Sequence, residues 1–275
     1  LRIDAHQHFW KYNPLRDAWI TDDMAVIQRD FLPADLERTL SANGVDGCVA
    51  VQADQSLDET RFLLDLAARH HFIKGVVGWV DLRSPRLDET LEALAADRRL
   101  RGIRHVAQAE RDDFLAQDDV VRGISRLARA GLTYDILIYP RQIPAAVSLV
   151  SRLSDQPFIL DHLAKPLIKE GRLEPWATQV KELARRPNVC CKISGLVTEA
   201  DWTGWRPEHF RPYLDVAFDA FGADRVMFGS DWPVCLTAAP YERVLGVVDD
   251  YTSLLSADER AAVFGGNAAR FYGLT

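Results

Sequence analysis

The sequence predicts a single (β/α)8 barrel, and three observations carry that expectation. Short apolar stretches alternate with amphipathic ones eight times along 275 residues, a period of roughly 34 residues, close to the size of this fold. The short stretches are apolar on both faces, as strands buried in a parallel sheet must be. Four of the seven histidines fall at predicted strand ends, where such barrels gather their reactive groups.

The first strand, residues 3–8, ends in His6 and His8. Side chains alternate along a strand, so residues two apart share a face and these two imidazoles point the same way. Residues 9–32 form a long segment with Trp10, Tyr12 and Trp19. A connection of that length either serves function or plugs the barrel end with aromatic rings. Pro33 starts a helix that runs to Asn43 and stops at Gly44, with proline in the first turn and glycine beyond the last. Residues 46–52 are a β-branched, apolar strand. Residues 57–71 are a helix with Phe62, Leu63, Leu66 and Ala67 on one stripe. His70 and His71 close it, where imidazoles suit the helix dipole. Strand 73–80, helix 87–96, strand 102–106 and helix 120–130 follow, the last stopped by Gly131. Strand 132–139, helix 143–153, strand 157–162 and helix 175–186 come next, ended before Pro187. Strand 188–194, helix 207–221, strand 225–231 and helix 241–254 complete the eight units. A last helix, 256–265, carries Ser256 and Glu259 at capping-box spacing. Linkers, low-complexity tracts and internal repeats are absent from the sequence, so residues 1–275 are read as one domain.

Composition narrows the function. Hydrophobic residues make up 48% of the chain and the formal charge is -7, with a pI near 5.5. An acidic chain is a poor general nucleic-acid binder, because phosphate contacts need a basic surface. The four cysteines lack CxxC spacing, which excludes a disulfide framework or structural zinc site and suits a reducing cytosol. Apolar runs of transmembrane length and a signal-peptide pattern are missing. A cytoplasmic protein with no membrane partner is the expectation; oligomeric state is not legible.

The strand ends then define the candidate chemistry. They offer His6 and His8, Gln52, Asp81, Arg104 or His105, Tyr134 or Asp135, His162 followed by Lys165, Lys192 and Ser194, and Asp231 followed by Trp232. Arg104 and His105 are adjacent, so only one faces the interior. Histidines clustered with one aspartate suit a divalent ion such as zinc or manganese. They suit metal-free acid–base chemistry equally. Asp231 follows the small pair Gly229-Ser230, which is expected to let substrate approach the backbone. Asp161 is expected to face the helices, opposite His162, and Asp4 to be a buried structural partner. Lys165 either binds substrate or sits on a solvated loop. The loop 195–206 sets Glu199 and Asp201 beside Trp202 and Trp205. Carboxylates next to indoles suit a polyhydroxylated ligand; the alternative is a lid packed on the rim.

Taken together, the opening His6-Gln7-His8, the run from Asp161 to Pro166, Lys192 to Leu196, Phe228 to Pro233 and the tail Gly266 to Gly273 resemble the amidohydrolase superfamily. More narrowly, they resemble its sugar-lactonase branch, which holds L-fuconolactonase-like and L-rhamnonolactonase-like proteins. The resemblance covers essentially the whole chain. It implies a barrel of the metal-dependent hydrolase type that opens a sugar lactone. His6, His8, His162 and Asp231 match the superfamily's positions on strands one, six and eight. The modified lysine on strand four and histidine on strand five of its two-metal members are replaced here by Arg104-His105 and Tyr134-Asp135. One metal ion or none is therefore implied, with His6, His8, His162 and Asp231 as ligands if one binds. The expected catalytic groups are Asp231 as general base on water, with His105 and His162. Arg104, Glu199, Trp202, Trp232 and Lys165 are expected to bind substrate. Two alternatives stand beside this: a metal-dependent decarboxylase of aromatic acids, and a barrel that binds a sugar acid without turnover.

Overall fold

In a computed structural model that describes residues 1–274, eight strands pair side by side in sequence order. They are β1 (Ile3–Gln7), β2 (Gly47–Val51), β3 (Ile73–Gly78), β4 (Leu100–His105), β5 (Thr133–Ile136), β6 (Phe158–Leu160), β7 (Val189–Ile193) and β8 (Val226–Phe228). Every pairing is parallel. The ring closes just above β1 and β8, where His8 N–H donates to the Trp232 carbonyl at 2.7 Å and Asp231 N–H to the His6 carbonyl at 2.8 Å. The residues that complete the barrel are thus the candidate reactive residues or their neighbours.

The helices outside the sheet are α1 (Pro33–Ala42), α2 (Leu57–Arg69), α3 (Leu87–Ala95), α4 (Asp118–Ile124), α5 (Ile143–Arg152), α6 (Trp176–Ala184), α7 (Arg211–Phe221) and α8 (Tyr241–Tyr251). Two more, α9 (Ala257–Ala261) and α10 (Asn267–Tyr272), fold under the barrel. Local chemistry sets their ends. Ser56 caps α2 by accepting from Glu59 N–H at 3.1 Å, the side chain satisfying a donor that the helix leaves free. Ser256 and Glu259 form the predicted reciprocal box at the start of α9. Leu63, Leu66 and Ala67 of α2 are buried against the sheet, and α1 and α3 to α8 add similar faces to the core between the two layers. The interior of the strand ring has its own smaller cluster, which includes Ile3, Val49, Val77 and Met227, closed from below by Ala268 and Tyr272 of α10.

Several elements differ from expectation: β5 and β8 each end three residues early, at Ile136 and Phe228, and three further departures are set by local structure. The helix predicted at 120–130 divides into α4 and a short 3-10 turn, Ala128–Ala130; Ser125 bonds back to the Arg122 carbonyl at 2.8 Å, a local alternative to the helical ladder. The capping helix is interrupted by a π turn, Ala262–Gly266, before α10. Strand β6 stops at Leu160, two residues early, because the chain then enters a left-handed turn in which His162, Leu163, Ala164 and Lys165 all have positive φ. Among the described residues no helix is long and apolar enough to cross a membrane.

Candidate active site

At the carboxyl ends of the strands the barrel opens into a cavity of about 550 Å³. His8, Arg104, His162, Lys165, Glu199 and Asp231 give it a polar side. Trp19, Met24, Tyr139, Trp202 and Val234 supply apolar surface, the mixture expected of a small-molecule site. The long loop after β1 therefore contributes wall as well as plug. Trp10 packs edge-on to Trp19 and Phe31, while Trp19 and Met24 reach the cavity.

Asp231 stands at the centre. Its Oδ1 lies 3.3 Å from His8 Nε2, 3.8 Å from His6 Nε2 and 4.0 Å from His162 Nε2. It sits at φ 60, a conformation that costs a non-glycine residue roughly 1–2 kcal/mol and that clusters at functional sites. Burial pushes its carboxyl up, but His162, His8 and Lys165 outweigh this and hold it below the usual carboxylate range. Burial also drives the His162 and His6 imidazoles well below their ordinary value. The result is an ionised carboxylate facing two neutral imidazoles.

Each imidazole is held from behind. His8 Nδ1 donates to the Val51 carbonyl at 2.8 Å, which leaves Nε2 turned to Asp231. His162 Nδ1 meets the Ser194 hydroxyl at 2.8 Å. Packed against the His162 ring is Gly195, at φ 65, where a Cβ would lie 2.7 Å from Nδ1. His6 Nδ1 lies 3.4 Å from Asp161 Oδ1. Gly229 was expected to make room for substrate; instead a Cβ there would come within 2.6 Å of His6 Cβ. Its role is to let β8 approach β1.

The choice on β4 is settled by geometry. Arg104 points inward: Nη1 lies 3.1 Å from both Asp161 Oδ2 and His6 Nε2, and Nη2 donates to the Gln52 carbonyl. His105 points outward. Its ring stacks on Phe114, Nε2 meets Glu110 at 3.0 Å and Nδ1 accepts from the Trp79 indole at 3.2 Å. The expected catalytic role for His105 is thus corrected: both its nitrogens are spent outside the cavity. Trp232 is corrected too. The left-handed turn at Asp231 swings it away from the cavity, and its ring packs against Phe31 and Phe9. Asp161 differs in the opposite sense. Alternation along β6 puts Asp161 on the inner face with Ile159, where Lys192 and Arg104 pair with it, and the left-handed turn that starts at His162 brings that ring to the same side. Lys165 and Glu199 lie 3.6 Å apart across the rim, and Trp202, anchored by its indole to the Thr198 carbonyl, stands beside them. Arg16, Asp17, Asp54 and Gln55 also line the mouth. Sequence reasoning missed these four because they sit in loops, where no periodicity assigns a face.

His6, His8 and Asp231 bring one donor atom each within 4.8 Å of one another. Two imidazole nitrogens and a carboxylate with an open side are a set that zinc accepts. The Val51 carbonyl behind His8 is the kind of support that orients a ligating histidine. A second group, His6, Asp161 and His162, shares His6, and its Asp161 is already paired with Lys192 and Arg104. The residues therefore fit one ion and not two.

Fold and site together define a (β/α)8 protein with a buried histidine–aspartate centre at the mouth of its barrel. The chain belongs to the amidohydrolase family, whose model matches residues 3–274. It is 45% identical to an L-fucono-1,5-lactonase of Burkholderia multivorans, over 100% of this chain and 96% of that one. It is 41% identical to an L-fucono-1,5-lactonase of Burkholderia ambifaria, over 98% and 95%. Among solved structures, an amidohydrolase from Burkholderia multivorans with bound zinc superposes at a TM-score of 0.96, with 44% identity and full coverage of both chains.

Proposed function

We infer that this protein is a sugar lactonase, which opens an L-fuconolactone-like cyclic ester to the aldonic acid. The observation that carries the reading is the ionised Asp231 in one cavity with the inward guanidinium of Arg104, in a chain 45% identical over its whole length to an L-fucono-1,5-lactonase. A decarboxylase of aromatic acids and a non-catalytic sugar-acid binder are not favoured by that likeness.

In the proposed reaction Asp231 takes a proton from water as the water oxygen attacks the lactone carbonyl. A C–O bond forms and the carbonyl electrons move to its oxygen. Arg104, which lines the cavity, faces the developing oxyanion, where a fixed charge in a closed site acts strongly. Collapse breaks the ring C–O bond, and the proton held by Asp231 passes to the departing ring oxygen. The aldonic acid then loses its own proton to solvent. Lys165, Glu199 and Trp202 are assigned to the sugar hydroxyls and ring. A zinc or manganese ion held by His6, His8 and Asp231 would supply Lewis-acid catalysis when bound.

The test is proton release from a panel of sugar lactones, on metal-stripped and zinc-restored protein side by side. Turnover of L-fucono-1,5-lactone is expected. Turnover in both samples assigns the chemistry to the side chains; turnover only with zinc makes His6, His8 and Asp231 ligands. Silence in both, from folded protein, overturns the lactonase reading.

A further inference from the structure

Beneath the cavity, the barrel interior holds charges that the hydrolytic steps do not use. Lys192 on β7, Asp135 on β5 and Asp161 after β6 are fully buried. Lys192 Nζ lies 2.5 Å from Asp135 Oδ2 and 3.0 Å from Asp161 Oδ1. Tyr272 of α10 reaches up through the floor and donates its hydroxyl to Asp135 Oδ2 at 2.7 Å. Two carboxylates, Lys192 and Arg104 balance in charge, which is the condition for keeping ions out of water.

The upper end of this chain of contacts meets the candidate reactive groups. Lys192 Nζ is 3.2 Å from His6 Nδ1. Asp161 Oδ2 holds Arg104 Nη1 at 3.1 Å, and the same nitrogen lies 3.1 Å from His6 Nε2. The lower end is weakly determined. Only Oδ2 of Asp135 is held; Oδ1 has no hydrogen-bond partner among the described residues. The Tyr272 hydroxyl and the Lys192 ammonium are therefore what fix that carboxylate.

We propose that Tyr272 is a positioning residue for lactone hydrolysis: through Asp135 and Lys192 it sets the placement of His6 and Arg104. The proposal rests on the lactonase reading above. Without the hydroxyl, Asp135 is free to turn about its one remaining partner. Lys192 follows it, because an unpaired buried ammonium costs more than a displaced one. That displacement reaches His6 directly and Arg104 through Asp161. A shift of about 1 Å in catalytic groups costs up to about a hundredfold in rate. Tyr272, Asp135 and Lys192 do not line the cavity, so substrate binding is left unchanged.

The experiment is steady-state kinetics of Tyr272→Phe, Asp135→Asn and the double variant, on a sugar lactone that the parent protein turns over. Tyr272→Phe keeps the ring that packs into the inner cluster, so folding is retained. The expected result is a kcat about tenfold lower in Tyr272→Phe, with KM within about twofold. The double variant is expected to be no slower than Asp135→Asn alone, because both act on one carboxylate. Imidazole nitrogen NMR on Tyr272→Phe gives a second readout: the His6 signals are expected to move while those of His70 and His71 stay. Parent-like kcat in Tyr272→Phe, unmoved His6 signals, or losses that multiply in the double variant overturn the proposal. An inactive parent withdraws the lactonase reading itself, and this proposal with it.

Discussion

Below His6, cations and carboxylates are matched: Lys192 with Asp135 and Asp161, and Arg104 with Asp161. Above His6, Asp231 faces imidazoles instead and looks into an open cavity. The two regions use similar residue types to opposite ends. A buried carboxylate gripped by ammonium and guanidinium is locked, because releasing either partner strands a charge. Burial alone would push the Asp161 carboxyl up; Lys192, His6 and Arg104 outweigh it and hold the group well below its usual range. A carboxylate beside neutral imidazoles keeps lone pairs free for water. The difference teaches that charge pairing, more than residue identity, separates the groups that hold this site from those proposed to react in it.

The largest break in that contrast is expected from Lys192→Met. It leaves Asp135 and Asp161 buried with one cation fewer, and a stability loss of about 3–5 kcal/mol follows. Urea unfolding measures it, and a loss under about 1 kcal/mol would show that the floor is not charge-locked.

Glu59, beside the mouth, sharpens the contrast from the other side. Its nearby cation, Arg16, is taken up by Asp17 at 2.7 Å, and burial pushes the Glu59 carboxyl from 4.5 up to about 7. The folded state thus favours the protonated form. That contribution to stability is whole below about pH 4.5 and is lost as pH rises through about 7. Glu59→Gln is expected to match the parent at pH 4 and to exceed it at pH 8 by up to about 3 kcal/mol. An equal difference in Tm at both pH values would contradict the assignment.

The smallest effect concerns the left-handed turn that carries His162 and Lys165. Ala164 and Ala146 are both fully buried, but Ala164 has φ 59 and Ala146 lies in helix α5. Glycine relieves strain at the first site and weakens the helix at the second. Ala164→Gly is expected to be less costly than Ala146→Gly by about 1–2 kcal/mol; equal costs in thermal unfolding would remove the strain argument.

Much of this was legible in the sequence because it follows from periodicity. Eight alternations named the barrel. His6 and His8 share a face by strand parity, and His162 and Asp231 fall near the ends of β6 and β8. What parity could not reach lies where the backbone leaves the strand. The left-handed turn that starts at His162 brings its ring to the same side as Asp161, which alternation already turns inward with Ile159, and the left-handed Asp231 sends Trp232 out to Phe31. On β4 the strand runs through His105, so alternation does hold, but the sequence alone does not say which phase faces in. Loop residues such as Arg16 and Gln55 carry no pattern to read. The link from Tyr272 to Asp135 joins positions 137 residues apart, and only the folded floor brings them together.

The most direct test of the account is the kcat of Asp231→Asn on L-fucono-1,5-lactone, measured beside the parent with thermal unfolding as the control for folding. A general base of this kind contributes about 10²–10⁴-fold. The account predicts a loss of that size with the fold intact. A folded Asp231→Asn protein that keeps parent-like kcat would contradict it, and would move the water-activating role to another group at the mouth of the barrel.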